Sequence, residues 1–373
     1  KMTRPIDYAK SACGTIMKKY DAPDLPTMNT FFYIGGVFLS GMQRLYFQTG
    51  GKEYFDYIKK WVDKYVFPDG TILGYNHPYD TEEITRVMTL VPKTFDHKQP
   101  GILLFDLYKE TGDERYAKAI NYIYEKVPDW GRNSKGGFWH MAVTPNQMWL
   151  DSLYMIGPFL AMYSDFTKNE APLDEALNQC VLMYENMRDK NGLLRHGWDD
   201  SGEAEWAGEN GLSETVWARA MGWFTVAVLD ILDYTKNTHP KYKEICAIEE
   251  DMLKRVLKYR NSDMLWCQVL DRPEAEGNWY EISSSCLFTY SLFKAVRKNI
   301  LPESFLDEAK KSYSAIIDTL KFENGNMLIG NISVGTCIDE GDYKHYIERR
   351  KVTNDLHGTG AFVLMCTEAE KMM

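Results

Sequence analysis

Residues 107–120, LYKETGDERYAKAI, and residues 45–58, LYFQTGGKEYFDYI, follow one pattern. Each segment contains the end of an apolar helix, a polar or glycine-rich turn, and the beginning of an amphipathic helix. The pattern recurs at residues 162–177 and 232–245. Because a single helical hairpin cannot bury its apolar face, neighbouring hairpins must stack on one another. The repeat therefore predicts an all-α protein that is built from helical hairpins.

The apolar helices predict how these hairpins are arranged. Residues 31–49, FFYIGGVFLSGMQRLYFQT, are apolar nearly all round, which is typical of a helix that is buried on both sides. About six hairpins fit into the chain, and neither end shows the polar capping repeat that an open α-solenoid needs. We therefore expect residues 1–373 to form a single domain, a closed (α/α)6 barrel with the apolar helices inside. Short β segments are expected in its loops, and a short helix at residues 81–91.

Charge and composition exclude several classes of protein. The net charge of −10 argues against binding to nucleic acid or to an anionic membrane surface. No run of about 18 apolar residues is present, so no transmembrane helix is expected. The seven cysteines form no CxxC and no metal-ligand spacing with histidine, which predicts reduced thiols in the cytoplasm and no cysteine–histidine metal site. Because the chain begins with Lys1, a removed leader would instead place the protein in the periplasm or outside the cell.

Residues 136–158, GGFWHMAVTPNQMWLDSLYMIGP, place an acid within an apolar and aromatic segment. An ionised carboxylate in such surroundings is costly to bury unless it is paired or hydrogen-bonded. Asp151 is therefore a candidate functional group, although it could instead cap the helix that follows it. Asp96, at the entry to the preceding apolar helix, allows the same two interpretations.

The loops that lead from outer to inner helices are expected to gather at one mouth of the barrel. Aromatic rings stack on sugar faces, and an arginine or a histidine can bind the carboxylate of a uronic acid. Two neighbouring carboxylates would raise the pKa of one of them, as a general acid requires, and glycosidases use such pairs. The candidate residues of this carbohydrate site are Tyr33, Asp96, His140, Met148, Trp149, Asp151, His196, Trp217, Arg219, Trp223 and His357.

Several of these side chains also have a structural interpretation. A buried Arg219 needs a carboxylate, either from the protein or from a ligand. The two tryptophans of residues 217–223, WARAMGW, could belong to the core, and His357 could bond to the backbone. Asp355 and Ser213 are helix N-cap residues by type.

Seven short runs together resemble one known family over nearly the whole chain. The chain is similar to the unsaturated rhamnogalacturonyl hydrolases, the YteR-like glycoside hydrolase family 105. The most specific signal is the combination of QMWLD at residues 147–151 with WARxxGW at residues 217–223. The full set of runs is FDHKQPG, GGFWHM, QMWLDSLYM, HGWDD, WARAMGW, SSSCLFTY and TNDLHGTGAF.

The resemblance implies an (α/α)6 barrel that acts on a small oligosaccharide, at the Δ4,5-unsaturated galacturonyl residue that a pectin lyase leaves at the non-reducing end. In this family an aspartate protonates C4 of the vinyl ether, water adds at C5, and the resulting hemiketal rearranges and releases the neighbouring sugar. The general acid/base of the family falls on Asp151, and its second essential aspartate falls on Asp96. No metal or cofactor is implied. The implied substrate contacts and pocket-lining residues are His196, Arg219, Trp217 or Trp223, His140 and Met148.

The sequence leaves other interpretations open. Phe31 and Phe32 depart from the family pattern, which has a tryptophan near the first inner helix, so the sugar beyond the cleaved bond is not specified. An unsaturated glucuronyl hydrolase of family 88 would use the same mechanism on another polysaccharide. A sugar epimerase of this fold would rely on paired histidines, whereas this mouth is richer in aspartate. A helical scaffold without activity would need no convergent aspartates. A monomer or weak dimer is expected.

Overall fold

The computed structural model describes residues 2–75 and 94–373, and the short helix expected at residues 81–91 lies outside them. The described chain is mainly helical. None of its helices is long and apolar enough to cross a membrane. Its α-helices are α1 (Pro5–Lys19), α2 (Tyr33–Thr49), α3 (Lys52–Tyr65), α4 (Ile102–Thr111), α5 (Glu114–Tyr124), α6 (Ser152–Thr167), α7 (Ala171–Asn186), α8 (Ala218–Leu232), α9 (Tyr242–Lys258), α10 (Ile282–Arg297), α11 (Leu306–Asp318), α12 (Tyr343–Ile347) and α13 (Leu356–Glu370).

Twelve of these helices form two concentric rings. In the inner ring α2, α4, α6, α8, α10 and α13 pack each on the next, and α13 returns to α2. The outer helices α3, α5, α7, α9 and α11 each pack on the inner helix that precedes them. The prediction of a closed (α/α)6 barrel is therefore confirmed, and the open solenoid is excluded.

The sixth hairpin is built from the two ends of the chain, because its inner helix α13 packs against α1. The carboxylate of Glu370 accepts a hydrogen bond from the backbone N–H of Ile6 at 3.1 Å and pairs with Arg4. The hydroxyl of Thr15 in α1 accepts from the backbone N–H of Met327 at 2.9 Å. Ring closure thus joins the first and last helices of the chain.

The two rings differ in burial for a simple geometric reason. Every residue of α8, Ala218–Leu232, is buried, since an inner helix contacts two ring neighbours and an outer helix. In α9 the buried residues, which include Ile245, Met252 and Val256, lie on one face. This difference is what the apolar and amphipathic halves of the repeat predicted.

Three short antiparallel ribbons lie in the loops, as expected. The first pairs β1 (Gln147–Trp149) with β2 (Gly197–Asp199) and places Met148 opposite Trp198. It holds the loops that lead into α6 and α8 side by side. The others pair β3 (Lys321–Glu323) with β4 (Asn326–Leu328), and β5 (Ile332–Ser333) with β6 (Lys351–Val352).

The ring closes where α2 and α13 touch through glycines. A Cβ atom on Gly360 would lie 2.5 Å from the carbonyl oxygen of Val37, and one on Gly41 would lie 2.9 Å from the carbonyl oxygen of Gly360. The obstructing atoms belong to the backbone, so a side chain at either position would push the helices apart. The two helices can approach this closely only because neither position carries a side chain.

We predict that Gly360→Ala lowers the free energy of unfolding by about 2 kcal/mol or more, because it overpacks the closing contact. Gly14→Ala in α1 is the matched control, since a Cβ there meets no atom within 4 Å. Alanine is the better helix former, so this control should raise the free energy of unfolding by about 0.5–1 kcal/mol. Urea unfolding measures both. Equal effects of the two substitutions would contradict the role of Gly360.

Candidate active site

Asp151 occupies the N-cap position of α6, but its side chain makes no capping hydrogen bond. Its Oδ1 atom instead faces Nε2 of His196 at 3.4 Å. The side chain of Asp151 is 14% exposed, and that of His196 is fully buried. Within the described residues neither of these two atoms has a hydrogen-bond partner. The helix-cap interpretation of Asp151 is therefore wrong, because its side chain points at a histidine and not at the backbone of α6.

The loops themselves bring this pair together. The backbone N–H of Leu150 donates to the carbonyl oxygen of His196 at 2.9 Å, which continues the pairing of β1 with β2. Nδ1 of His196 lies 2.7 Å from the hydroxyl of Tyr346. Because that contact holds the far nitrogen, Nε2 is left facing Asp151.

A second aspartate and histidine repeat this arrangement. Oδ2 of Asp96 lies 3.5 Å from Nε2 of His140, whose Nδ1 is 2.5 Å from the hydroxyl of Ser152. The backbone N–H of Phe95 donates to the carbonyl oxygen of His140 at 3.4 Å, which ties the two loops together. Asp96 lies in a 3-10 turn, where its own N–H bonds to the hydroxyl of Thr94. Each candidate acid is thus matched with one histidine.

Aromatic rings enclose both histidines. The ring of His140 stacks on Trp149 with centroids 4.3 Å apart and planes 7° apart. The ring of His196 lies 4.8 Å from that of Trp217. Both indoles are themselves buried, and they exclude water from the histidines.

The charges of the site follow from burial and from these pairings. Burial raises the pKa of Asp151, but the imidazoles of His196 and His140 outweigh it and bring the pKa below its usual value. Burial lowers the pKa of His196. Burial also lowers the pKa of His140, but the negative charges of Asp96 and Asp151 outweigh it and raise the pKa. The expectation that the pairing of two carboxylates raises the pKa of one of them is wrong for Asp151, because this carboxylate faces a histidine.

Arg219 is enclosed by protein, with a side chain that is 1% exposed. Its guanidinium donates to the carbonyl oxygens of Ser333 and Val334, and lies 4.0 Å from the carboxylate of Glu281. The guanidinium carbon also lies 4.6 Å from the ring centroid of Trp217. The carboxylate that a buried arginine needs is therefore internal, and a direct contact with substrate stays a prediction.

Tyr33 and His357 meet at the closure of the ring. The hydroxyl of Tyr33 lies 2.8 Å from Nε2 of His357, whose Nδ1 lies 2.5 Å from the carboxylate of Asp355. Asp355 also caps α13, as its residue type predicted, by accepting from the backbone N–H of His357 at 2.9 Å. His357 therefore bonds to two side chains and not to the backbone acceptor that the structural interpretation allowed.

Two of the candidate residues lie in the core. Trp223 is buried and stacks on Tyr154 with ring centroids 4.0 Å apart. Met148 is fully buried, packed against Gly137. Trp217 is likewise buried, but its indole N–H bonds to Gln268 at 3.0 Å and its ring borders His196. A direct substrate contact for Trp223 or Met148 would need the site to rearrange.

Residues 333–349 form a wall of the site that the sequence did not reveal. They supply Tyr346, which orients His196, and Arg349, which donates to Thr336 and to the carbonyl oxygen of Gly335. Their only signal was a polar, glycine-containing stretch before α13.

The prediction that Ser213 caps a helix is wrong. Its hydroxyl accepts from the backbone N–H of Gly197 at 2.9 Å, and α8 begins only at Ala218.

A separate cavity of about 500 Å³ opens at the opposite end of the barrel. Its lining includes Arg44, Phe47, Phe105 and Asp230, and none of the predicted site residues. The convergent acids and histidines mark the other end, where the loops enter the inner helices.

Comparison with known proteins gives concordant results. Residues 8–373 match the model of Glycosyl Hydrolase Family 88. The chain is 26% identical over 311 residues to the unsaturated rhamnogalacturonyl hydrolase YesR of Bacillus subtilis, an alignment that covers 82% of this chain and 79% of that protein. It is 31% identical to a Family 105 glycoside hydrolase of C. acetobutylicum, with a TM-score of 0.89 over 98% of this chain and 99% of the other.

A more distant structural likeness agrees on the fold. An unsaturated glucuronyl hydrolase from Bacillus sp. GL1 is 16% identical, with a TM-score of 0.68 over 98% of this chain and 97% of that chain. At this identity the likeness concerns the architecture of the barrel.

We predict that His196→Gln raises the pKa of Asp151. Burial raises this pKa and the imidazole of His196 lowers it, so replacing the imidazole leaves burial less opposed. Carbon-13 NMR titration of the aspartate carboxyl groups, with Asp151→Asn to identify the signal, measures the shift. His239→Gln is the matched control, since His239 pairs with Asp174 at 2.8 Å on another part of the surface. An unchanged pKa of Asp151 in His196→Gln would show that His196 does not set its charge.

Proposed function

The chain belongs to Glycosyl Hydrolase Family 88, and from that premise we propose that it removes a Δ4,5-unsaturated galacturonyl residue from the non-reducing end of rhamnogalacturonan lyase products. The enzyme is a glycoside hydrolase. Its similarity to an unsaturated rhamnogalacturonyl hydrolase over most of both chains supports this substrate class. Membership of a hydrolase family does not support the two other interpretations, a sugar epimerase and a helical scaffold without activity.

One observation carries the proposal: two pairs of aspartate and histidine converge at a single aromatic mouth. Oδ1 of Asp151 and Nε2 of His196 are buried and unpartnered within the described residues. The two atoms are 3.4 Å apart, which leaves no room for a ligand atom between them. The side chain of Asp151 is nevertheless 14% exposed, so a substrate can reach Asp151 through the exposed part of its side chain.

The proposed reaction is hydration followed by cleavage. The carboxylic acid of Asp151 gives its proton to C4 of the substrate, and the ring oxygen stabilises the positive charge that forms at C5. Water then forms a bond to C5 and returns a proton to the carboxylate of Asp151. The resulting hemiketal opens and releases the neighbouring sugar. General acid catalysis of this kind contributes about 10²–10⁴-fold to a rate.

Asp151 must gain a proton before it can act, and substrate binding supplies the reason for it to do so. In the free protein the nearby histidines hold the pKa of Asp151 below its usual value. A uronate carboxylate that enters the site adds a negative charge and displaces water, and both changes raise the pKa of a neighbouring acid. We infer that the substrate itself promotes protonation of Asp151.

The site also offers cations for that carboxylate. Arg349 is half-buried, and in the part of the chain that the structure describes it pairs with no carboxylate. His140 has a raised pKa, and Arg219 lies behind Trp217. We propose that Arg349 or His140 meets the uronate first, while Arg219 supports the wall at Ser333 and Val334.

The identity of the second sugar depends on the first inner helix. Phe31 is buried against Trp61, with ring centroids 5.5 Å apart, so it lies away from the mouth. Phe32 is half-buried and packs on His97 at 4.7 Å. We propose that Phe32 borders the sugar beyond the cleaved bond.

We also propose that the chain is a single domain that acts as a monomer or weak dimer, and that the free cysteines reflect a cytoplasmic location.

We predict that Asp151→Asn lowers kcat by about 10²-fold or more, because the amide cannot donate a proton to carbon. The decay of ultraviolet absorbance of the unsaturated uronide reports turnover of rhamnogalacturonan lyase products. Asp165→Asn is the matched control, since Asp165 is an exposed aspartate on the same helix α6.

Two results would contradict this proposal. Turnover by Asp151→Asn at the wild-type rate would exclude Asp151 as the acid. Turnover of unsaturated glucuronyl disaccharides from other polysaccharides, with none of the rhamnogalacturonan products, would favour the alternative substrate.

A further inference from the structure

The hydroxyl of Tyr33, the ring of His357 and the carboxylate of Asp355 form a line at the contact between α2 and α13. Oδ1 of Asp355 is 2.5 Å from Nδ1 of His357, and Nε2 of that ring is 2.8 Å from the Tyr33 hydroxyl. The side chain of His357 is 1% exposed. We propose that Asp355 and His357 are positioning residues that hold the hydrogen of the Tyr33 hydroxyl toward His357. The Tyr33 oxygen then accepts a hydrogen bond from an O–H group in the substrate pocket.

The charge of Asp355 decides which atom donates in each hydrogen bond of the line. Burial raises the pKa of Asp355, but its contacts with His357 and the charge of Arg219 outweigh it and hold the pKa at about 2. A carboxylate can only accept, so Nδ1 of His357 carries the hydrogen and donates to it. When the ring carries only this one hydrogen, Nε2 is an acceptor, and the Tyr33 hydroxyl donates its only hydrogen to Nε2. The remaining lone pair of the Tyr33 oxygen can only accept.

The Tyr33 hydroxyl lies within electrostatic reach of the two candidate acids. Burial and the negative charges of Asp96 and Asp151 together raise the pKa of Tyr33. Gly335 leaves room beside it: a Cβ atom there would lie 3.6 Å from the Tyr33 oxygen. An acceptor at this position fits an O–H donor, which the proposed reaction supplies as a sugar hydroxyl or as the water that adds to C5.

Asp355→Ala tests the direction of the hydrogen bonds, and Asp355→Asn is its matched control. Oδ1 of Asp355 accepts both from the backbone N–H of His357 at 2.9 Å and from Nδ1 at 2.5 Å, and an asparagine oxygen can replace it in both hydrogen bonds. Alanine offers no acceptor, so the ring hydrogen can move to Nε2 and donate to Tyr33. The Tyr33 hydrogen would then point into the pocket. We expect Asp355→Ala to lower kcat/KM roughly tenfold or more, as Tyr33→Phe does, and Asp355→Asn to retain most of kcat/KM.

A pair of substitutions at His357 separates polarity from packing. The amide oxygen of glutamine reaches the place of Nε2 and can accept from Tyr33, whereas asparagine reaches only the place of Nδ1. We therefore expect His357→Gln to retain most of kcat/KM and His357→Asn to lose about as much as Tyr33→Phe. Asp174→Asn, in the surface pair with His239, is the control that should leave kcat/KM unchanged.

The kinetic constants identify the O–H donor. If kcat/KM falls because KM rises, the hydrogen bond is assigned to a sugar hydroxyl. If kcat/KM falls because kcat falls, the hydrogen bond is assigned to the attacking water. Wild-type kcat/KM in both Asp355→Ala and His357→Asn, with a large loss in Tyr33→Phe, would overturn the positioning role.

This inference rests on the proposed function, so a measurement without substrate is needed as well. Nitrogen-15 NMR of the histidine rings distinguishes protonated from unprotonated ring nitrogens, and the His357 signals are those missing from His357→Gln. We expect Nδ1 to be protonated in the wild type and in Asp355→Asn, and Nε2 to be protonated in Asp355→Ala. The opposite tautomer in the wild type would overturn the inference, whereas a wild-type protein that turns over no unsaturated uronide would overturn only the proposed function.

Discussion

The close approach of α2 and α13 is the contact on which the geometry of the site depends. Gly41 and Gly360 let the two backbones meet, and this contact closes the inner ring. Closure fixes the entry points of the inner helices relative to one another. It brings Tyr33, at the beginning of α2, against His357, at the beginning of α13, although they lie at opposite ends of the chain. An open array of the same hairpins would leave the loops without a common centre.

Within the closed ring, the side chains are arranged by the cost of burying charge. Three carboxylates at the entries of the inner helices each face a basic group from another loop or helix: Asp151 faces His196, Asp96 faces His140, and Glu281 faces Arg219. Arg219 is saturated further by carbonyl oxygens. Oδ1 of Asp151 and Nε2 of His196 are among the buried polar atoms without a hydrogen-bond partner within the described residues. The proposed chemistry is placed at Asp151 because its side chain is 14% exposed and can therefore reach a ligand.

The sequence predicted the parts that depend on local pattern. Apolar and amphipathic repeats predicted the two rings, and an acid within QMWLD pointed to Asp151. It did not predict features that depend on contacts between hairpins. The lowered pKa of Asp151 arises from His196 in the next hairpin, so the expectation from paired carboxylates was wrong. Tyr346 was missed for the same reason, since nothing near it in the sequence shows that it contacts His196. Ser213 had the type of a cap residue, but the helix begins after it.

The central claim is that Asp151 delivers a solvent-derived proton to C4 of the unsaturated sugar. The most direct measurement is to let the enzyme act on the rhamnogalacturonan lyase products in D2O and to examine the product formed from the unsaturated uronate by NMR. We expect one deuterium at C4 of that product, loss of the C4=C5 double bond, and no such product with Asp151→Asn. A free uronate that keeps the double bond and carries no deuterium at C4 would show direct displacement at the anomeric carbon, and would contradict the proposed role of Asp151.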